Sequence, residues 1–356
     1  MAIVLFDNHC REALFPFTHT RHTADIRIGI FTIREKWERL LKAKVVLSKE
    51  ALKQGNDDVL IPANHIPVQE DYIQIIEAYK NNIPLSEEFR MLNHPWDIYQ
   101  HNEWAIRSDI YMLMNEARPS PISQTNRLSG NGVIYAVDGM KMEHCTINTE
   151  NGPVFIGKNA LVMEGTLIKG PVAICEGAVV KMGTCLYAGT TIGPYCVAGG
   201  EIKNSILMEY TNKAHEGYLG DSAIGAWCNL GAGTSNSNVK NNAGKVSYLL
   251  NDEASPFPVG IKAGLIMGDY SRCAINTSFN TGTIVGVSCN IFGRDFPLKN
   301  VPNFTWGNEK YLLDKALTDI NNWKALREMK LTEEETVNLQ HLYYKSFDDE
   351  KKNSSS

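Results

Sequence analysis

No stretch of this 356-residue chain is long and apolar enough to cross a bilayer as a helix. No two cysteines stand in a CxxC spacing, which removes the zinc-ribbon and dithiol-redox readings. There is no basic excess: 35 Lys and Arg face 40 Asp and Glu, for a net charge of −5 and a pI near 6.0. A nucleic-acid-binding surface is therefore not indicated. The first residues, MAIVLFDNHC, lack a basic segment and reach Asp7 too early for a secretory signal. These absences predict a cytoplasmic protein. Histidine is also scarce: between residues 145 and 340 there is only His215, so a three-histidine zinc site in that stretch is excluded.

What is present is a period of six. Ile156, Val162, Ile168, Ile174, Val180, Leu186, Ile192 and Ala198 follow one another at that spacing. Four positions after each comes another small or aliphatic residue: Ala160, Thr166, Val172, Ala178, Thr184, Thr190, Cys196 and Ile202. The period returns at Tyr218, Ile224 and Leu230, and again at Met267, Cys273, Phe279, Val285 and Ile291. Six is neither the helical 3.6 nor the strand period of two. It predicts a solenoid in which each coil stacks on the last. Cys196, Cys228 and Cys289 fall at small inner positions and read as buried, reduced thiols.

The chain divides into residues 1–125, 126–300 and 301–356. In the first part, Ile3–Phe6, Val45–Ser48 and Val59–Pro62 read as buried strands. Thr32–Lys42 and Asp71–Asn81 read as helices, with Leu40, Leu41, Ile73, Ile75, Ile76 and Tyr79 on apolar faces. The alternation predicts an α/β unit with a parallel sheet. Arg118–Gly132 is rich in Pro, Ser, Asn and Gly and reads as a linker. Ser235–Gly260 is a polar excursion that no coil buries, and such excursions often carry function. The tail is helical, its last helix opening on the capping box Thr332–Glu335, with disorder expected from Lys351 to Ser356.

The hexad run resembles the hexapeptide repeat of left-handed parallel β-helices, and the handedness is taken from that resemblance. Within it, Tyr218-Leu-Gly-Asp221 and Asn229-Leu-Gly-Ala-Gly-Thr234 follow His215 at a distinctive spacing. Glu201-Ile-Lys203 lies upstream and Asn238 downstream. This order resembles the acetyltransferase half of the bacterial bifunctional family that joins glucosamine-1-phosphate N-acetyltransferase to N-acetylglucosamine-1-phosphate uridylyltransferase. The resemblance implies that His215 is a general base toward the amine that attacks acetyl-CoA. A histidine titrating near neutrality suits that task. It further implies that Glu201 holds the other ring nitrogen, and that Lys203, Tyr218, Asn229 and Asn238 bind substrate. An Arg that the family uses for the sugar phosphate is missing; Tyr187 stands near its place. The fold also implies a homotrimer.

Leu14-Phe-Pro-Phe-Thr-His-Thr-Arg21 resembles the Pro-Leu-Thr-x-x-Arg stretch of sugar-nucleotide pyrophosphorylases. The segment through Trp37 is similar to a divergent sugar nucleotidyltransferase family fused to a β-helix in some bacteria. The glycine loop that usually precedes it is absent; Asp7–Glu12 has none. The resemblance makes Arg21, Arg27 and Lys36 candidates for the triphosphate, probed as UTP, and Asp97 a candidate ligand of Mg²⁺. The fold class expected is thus an α/β nucleotidyltransferase-like unit, a left-handed parallel β-helix and a C-terminal helical tail. Two activities follow: acetyl transfer to an amino sugar phosphate, and nucleotidyl transfer from UTP. The alternatives are a nucleotidyltransferase whose β-helix only trimerises or regulates, and a non-catalytic scaffold.

Overall fold

The computed structural model describes residues 2–52, 55, 57–250 and 255–353. Its centre is a left-handed parallel β-helix. Each coil contributes short strands to three flat faces, and every face is a parallel ladder. The first face carries three-residue strands such as Val154–Ile156, Val172–Ile174 and Thr190–Ile192. The second runs through Leu161–Val162, Val179–Val180 and Val197–Ala198. The third runs through Leu167–Lys169, Cys185–Leu186 and the start of Glu201–Leu207. The hexad residues point inward: Ile156, Ile174, Val180, Ile192 and Ala198 are each 0% exposed, as are Ala160, Thr166, Ala178 and Cys196. Stacking removes this column from water, which is the main favourable term for the coil. The first strand of the solenoid is Arg127–Ser129, inside the segment expected to be a linker.

One hexad position departs from expectation. Tyr218 is half-buried and faces outward, while Leu219 takes the inner place at 1% exposure. Strand alternation puts only one of two neighbours inside.

The N-terminal sheet is three-stranded and parallel, with Ile3–Phe6 between Val46–Ser48 and Val59–Pro62. Helix Ile33–Leu41 begins at a capping box between Thr32 and Glu35. Helix Tyr72–Asn81 buries Ile75, but Ile73 is 53% exposed, contrary to its expected place on the apolar face. Residue Ile73 lies on the side of the helix away from the sheet.

The longest element of this unit, helix Asp97–Glu116, was not expected from the sequence. It lies along the first face of the solenoid. Asn102 donates to the Gly189 carbonyl (2.7 Å) and to Thr191 (3.0 Å), and Gly29 N–H donates to Asn102 (2.7 Å). Ile106, Ile110, Met112 and Leu113 pack with Tyr135, Phe155 and Ala173 of that face.

The excursion also differs from a free loop. Ser235–Asn236 is still a rung of the third face. Beyond it, Val246–Tyr248 and Phe257–Gly260 form a hairpin. Tyr248 is 0% exposed and stacks on Trp96 at 5.3 Å, and Phe257 packs on Trp96 at 5.0 Å. The hairpin therefore rests on the N-terminal unit of its own chain. Residues 251–254 lie outside the described set.

At the other end, helices Leu313–Ala325 and Glu333–Asn353 close over the last coils. The capping box forms: Thr332 N–H donates to Glu335 (2.8 Å) and Glu335 N–H to Thr332 (3.1 Å). The helix runs through Lys351, where disorder was expected; residues 354–356 lie outside the described set.

Candidate active sites

The third face and its corner with the second face hold most of the acetyl-transfer candidates. Glu201 is the ladder neighbour of Tyr218, and Lys203 that of Gly220. Gly220 has a local reason. A Cβ there would stand 2.2 Å from the Tyr218 hydroxyl, so the bare glycine lets the tyrosine ring cross the face. Asn238, just past the Ser235–Asn236 rung, donates to the Tyr218 hydroxyl (3.1 Å) and to Asp221 (2.5 Å). Burial, then the nearby Asp221 and Glu201 carboxylates, push the Tyr218 phenol up to about 12, so it stays protonated at neutral pH. It can donate a hydrogen bond to a ligand.

His215 stands exposed at the corner through which the chain enters Tyr218. Among the described residues its imidazole has no hydrogen-bond partner. Glu201 is also exposed and does not bond it. The expected carboxylate–imidazole pair is thus not formed within one chain. Glu201 and Lys203 form no ion pair either among the described residues, which leaves the Lys203 ammonium open toward solvent. Asn229 is placed elsewhere. It sits on the second face, in register between Asn212 and Arg272, around the corner from Tyr218 and Asn238. Tyr187, in place of the missing arginine, is 37% exposed.

Sequence reasoning overlooked two residues here. Asp221 is 5% exposed and accepts from both Asn204 (2.7 Å) and Asn238. It fastens the start of the excursion to the wall. Lys213 lies in the solenoid interior at 2% exposure, directly beneath the His215 corner. A charged residue at an inner hexad position was the available signal.

The N-terminal cations have different fates. Lys36 is 0% exposed and pairs with Asp109. Its charge is already matched in the interior, so it does not reach a triphosphate; this corrects the expectation. Arg21 bridges units: it pairs with Asp269 (2.6 Å) and Glu209 (3.2 Å) of the solenoid. Arg27 is 6% exposed and donates to the Ile30 carbonyl. Arg21 and Arg27 line a cavity of about 300 Å³ with Arg34, Glu209, Trp227, Asp269 and Glu335. Its carboxylates neutralise much of the cationic charge.

Asp97 does not fit the Mg²⁺ role. Its Oδ2 accepts from the amides of Asn93 (2.8 Å) and His94 (2.9 Å), so it is committed to the turn that leads into its helix. No group of three His, Cys, Asp or Glu residues able to hold a metal occurs among the described residues.

The family described as sugar nucleotidyl transferase matches residues 3–52. The bifunctional protein GlmU of Methanococcus maripaludis is 27% identical over 231 residues, covering 63% of this chain and 50% of the relative. That of Methanocaldococcus jannaschii is 32% identical over 152 residues, 36% of each chain. A bifunctional sugar-1-phosphate nucleotidylyltransferase/acetyltransferase of Sulfurisphaera tokodaii is 28% identical over 152 residues, 37% of each. The chain spans about half the length, or less, of these curated relatives. Among solved structures, a hexapeptide transferase family protein from Anaplasma phagocytophilum aligns with 18% identity and a TM-score of 0.19, covering 62% of this chain and 88% of that one. The chain thus resembles the bifunctional GlmU proteins in divergent form.

Proposed function

We propose that the protein transfers an acetyl group from acetyl-CoA to the amine of a sugar phosphate of the glucosamine-1-phosphate class. The observation that carries this reading is the corner itself. An unpartnered, solvent-facing His215 stands three residues before Tyr218, whose hydroxyl is held by Asn238. In the reaction, neutral His215 takes a proton from the amine as nitrogen attacks the thioester carbonyl. The N–C bond forms, the tetrahedral intermediate collapses, and the C–S bond breaks. His215 then returns its proton to the departing coenzyme A thiolate. Lys203 meets the sugar phosphate as a point charge. Tyr218 and Asn238 orient sugar or pantetheine groups, and Asn229 contacts the acceptor from the second face. Glu201 takes part across an interface rather than within one chain, in line with a homotrimer.

Exposed apolar side chains on the open coils favour that assembly: Leu167 at 50%, Met182 at 69% and Ile275 at 68%. The hairpin needs no neighbouring subunit to rest on, so it lends the trimer no support.

His215→Ala lowers kcat at least about a hundredfold while leaving the fold intact, the usual scale for a general base. Turnover at the parent rate would remove this assignment.

A second reading is nucleotidyl transfer by the N-terminal unit, favoured by the family match over residues 3–52. Its remaining phosphate candidates are Arg21 and Arg27. No step is routed through Mg²⁺, because Asp97 is committed to the turn before its helix. Calorimetry of the whole chain with UTP tests it, and absence of binding would reject it.

A further inference from the structure

The inner column of the second face is apolar except at one rung. Ala198 pairs with Lys213, and beyond it come Leu230 and Cys273. An ammonium in such a column is costly: removing it from water costs several kcal/mol unless hydrogen bonds replace the lost hydration. A leucine or alanine would serve the core better. Lys213 has no carboxylate partner among the described residues. Its Nζ instead donates to three backbone carbonyls: His215 (2.6 Å), Gly199 (3.1 Å) and Glu216 (3.4 Å). All three of its protons are used.

Those acceptors define the corner. Two belong to the turn that carries the His215 side chain, and the third to the coil below. With the His215 and Glu216 carbonyls drawn inward onto the ammonium, both side chains are exposed outside. Gly217, at φ +118, then lets the chain enter Tyr218.

We propose that Lys213 is a positioning residue for His215: its buried ammonium locks the 215–217 corner from which the imidazole projects. The proposal rests on the acetyl-transfer reading above. The turn is fixed, so the imidazole is presented at the head of the Tyr218 strand without reorganising. The groups facing the ammonium are Glu216 and Cys273; burial is the main influence on it and lowers its pKa to about 8, so it remains mostly charged at neutral pH.

The test is steady-state acetyl transfer from acetyl-CoA to glucosamine-1-phosphate between pH 6 and 9. Parent, Lys213→Met, Lys213→Gln and His215→Ala are compared. Met keeps the length and suits the apolar column, so its thermal midpoint should equal or exceed that of the parent. Its kcat should fall about tenfold or more, as expected when a catalytic group loses its geometry. Its KM values should stay within about threefold of the parent's, because ground-state contacts are untouched. Gln restores donors without charge. It should recover part of kcat with KM unchanged, and it carries the test if the Met variant does not fold. If both Lys213 variants match the parent in kcat while His215→Ala is inactive, Lys213 only fills the core and the inference is overturned. If His215→Ala is fully active, the base assignment fails and this inference fails with it.

Discussion

Arg21 shows how one residue type supports two opposite readings. In the sequence it is one of several cations crowded into a short segment, which suggests phosphate. In the structure its guanidinium is 10% exposed and held by Asp269, itself 5% exposed, and by Glu209. These carboxylates lie far along the chain, so no local pattern reveals them. The attraction of Asp269 and Glu209 outweighs burial and keeps the guanidinium charged. Removing one partner of such a pair leaves the other charge buried and uncompensated. Arg21→Ala should therefore lower the unfolding free energy by about 3–5 kcal/mol, read by urea denaturation. A loss under about 1 kcal/mol would mean that the pair behaves as a surface bridge. Lys36 follows the same logic more fully, since Asp109 meets it deep inside the unit. By contrast, the outward residues of the third face were readable at the residue scale. Lys203, Tyr218 and Asn238 are placed on one wall, and only Asn229 lies round the corner. What could not be read was Asp221, whose role depends on Asn204 and Asn238 meeting it in space.

At the scale of elements, the hexad was legible because inner positions must be small or aliphatic in every coil. A further signal was also in the chain. First-face strands read Val-Phe-Ile, Val-Ala-Ile, Thr-Thr-Ile and Leu-Ile-Met, with no charged residue at the outward middle position. Third-face strands such as Leu-Ile-Lys and Glu-Ile-Lys carry charge outward. A strand apolar on both sides is covered on both sides. The covering helix Asp97–Glu116 escaped notice because Asn102 and Asp109 interrupt its apolar stripe. Both are buried and fully engaged, Asn102 with Gly29 and Thr191, Asp109 with Lys36 and the Ile30 amide. The C-terminal helices give a pH-dependent prediction. Glu335 accepts from Lys324 (2.6 and 2.8 Å) and from Tyr270 (3.0 Å). Burial opposes its ionisation, but hydrogen bonds from Lys324 and the Thr332 amide prevail and lower its pKa. A carboxylate depressed in the folded state stabilises above its unfolded pKa, and that contribution fades as pH falls through the folded value. Glu335→Gln should thus lower the thermal midpoint at pH 7, with the two proteins converging between about pH 5 and 3. A difference that persists unchanged at pH 3 would assign the effect to packing.

On the scale of the whole molecule, the N-terminal unit and the solenoid share a core. One continuous cluster joins Trp37, Trp96 and Tyr99 to Ile206 and Ile266 of the first face, and on to Tyr311 and Leu339 of the tail. The hairpin adds Tyr248 to the same cluster. Sequence division at residues 125 and 300 follows changes in periodicity, and periodicity carries no information about which surfaces meet. The buried first face has a direct consequence. Tyr135, Phe155, Ile206, Ile266 and Ile284 are all buried, in clusters to which the N-terminal elements contribute. Removing residues 1–117 would uncover a contiguous apolar strip along the solenoid, of the kind that drives association. The whole chain should therefore unfold in one cooperative transition, with fluorescence and far-UV signals coincident. A chain beginning at residue 118 should self-associate beyond the state of the parent, as read by light scattering at matched concentration. Two separated transitions in the whole chain, or a truncated solenoid in the parent's own oligomeric state, would show that the first face stands without its cover. The cavity beside Arg21 lies against that shared core, through Ala226 and Trp227. Arg21→Ala should then weaken the whole assembly rather than the N-terminal unit alone.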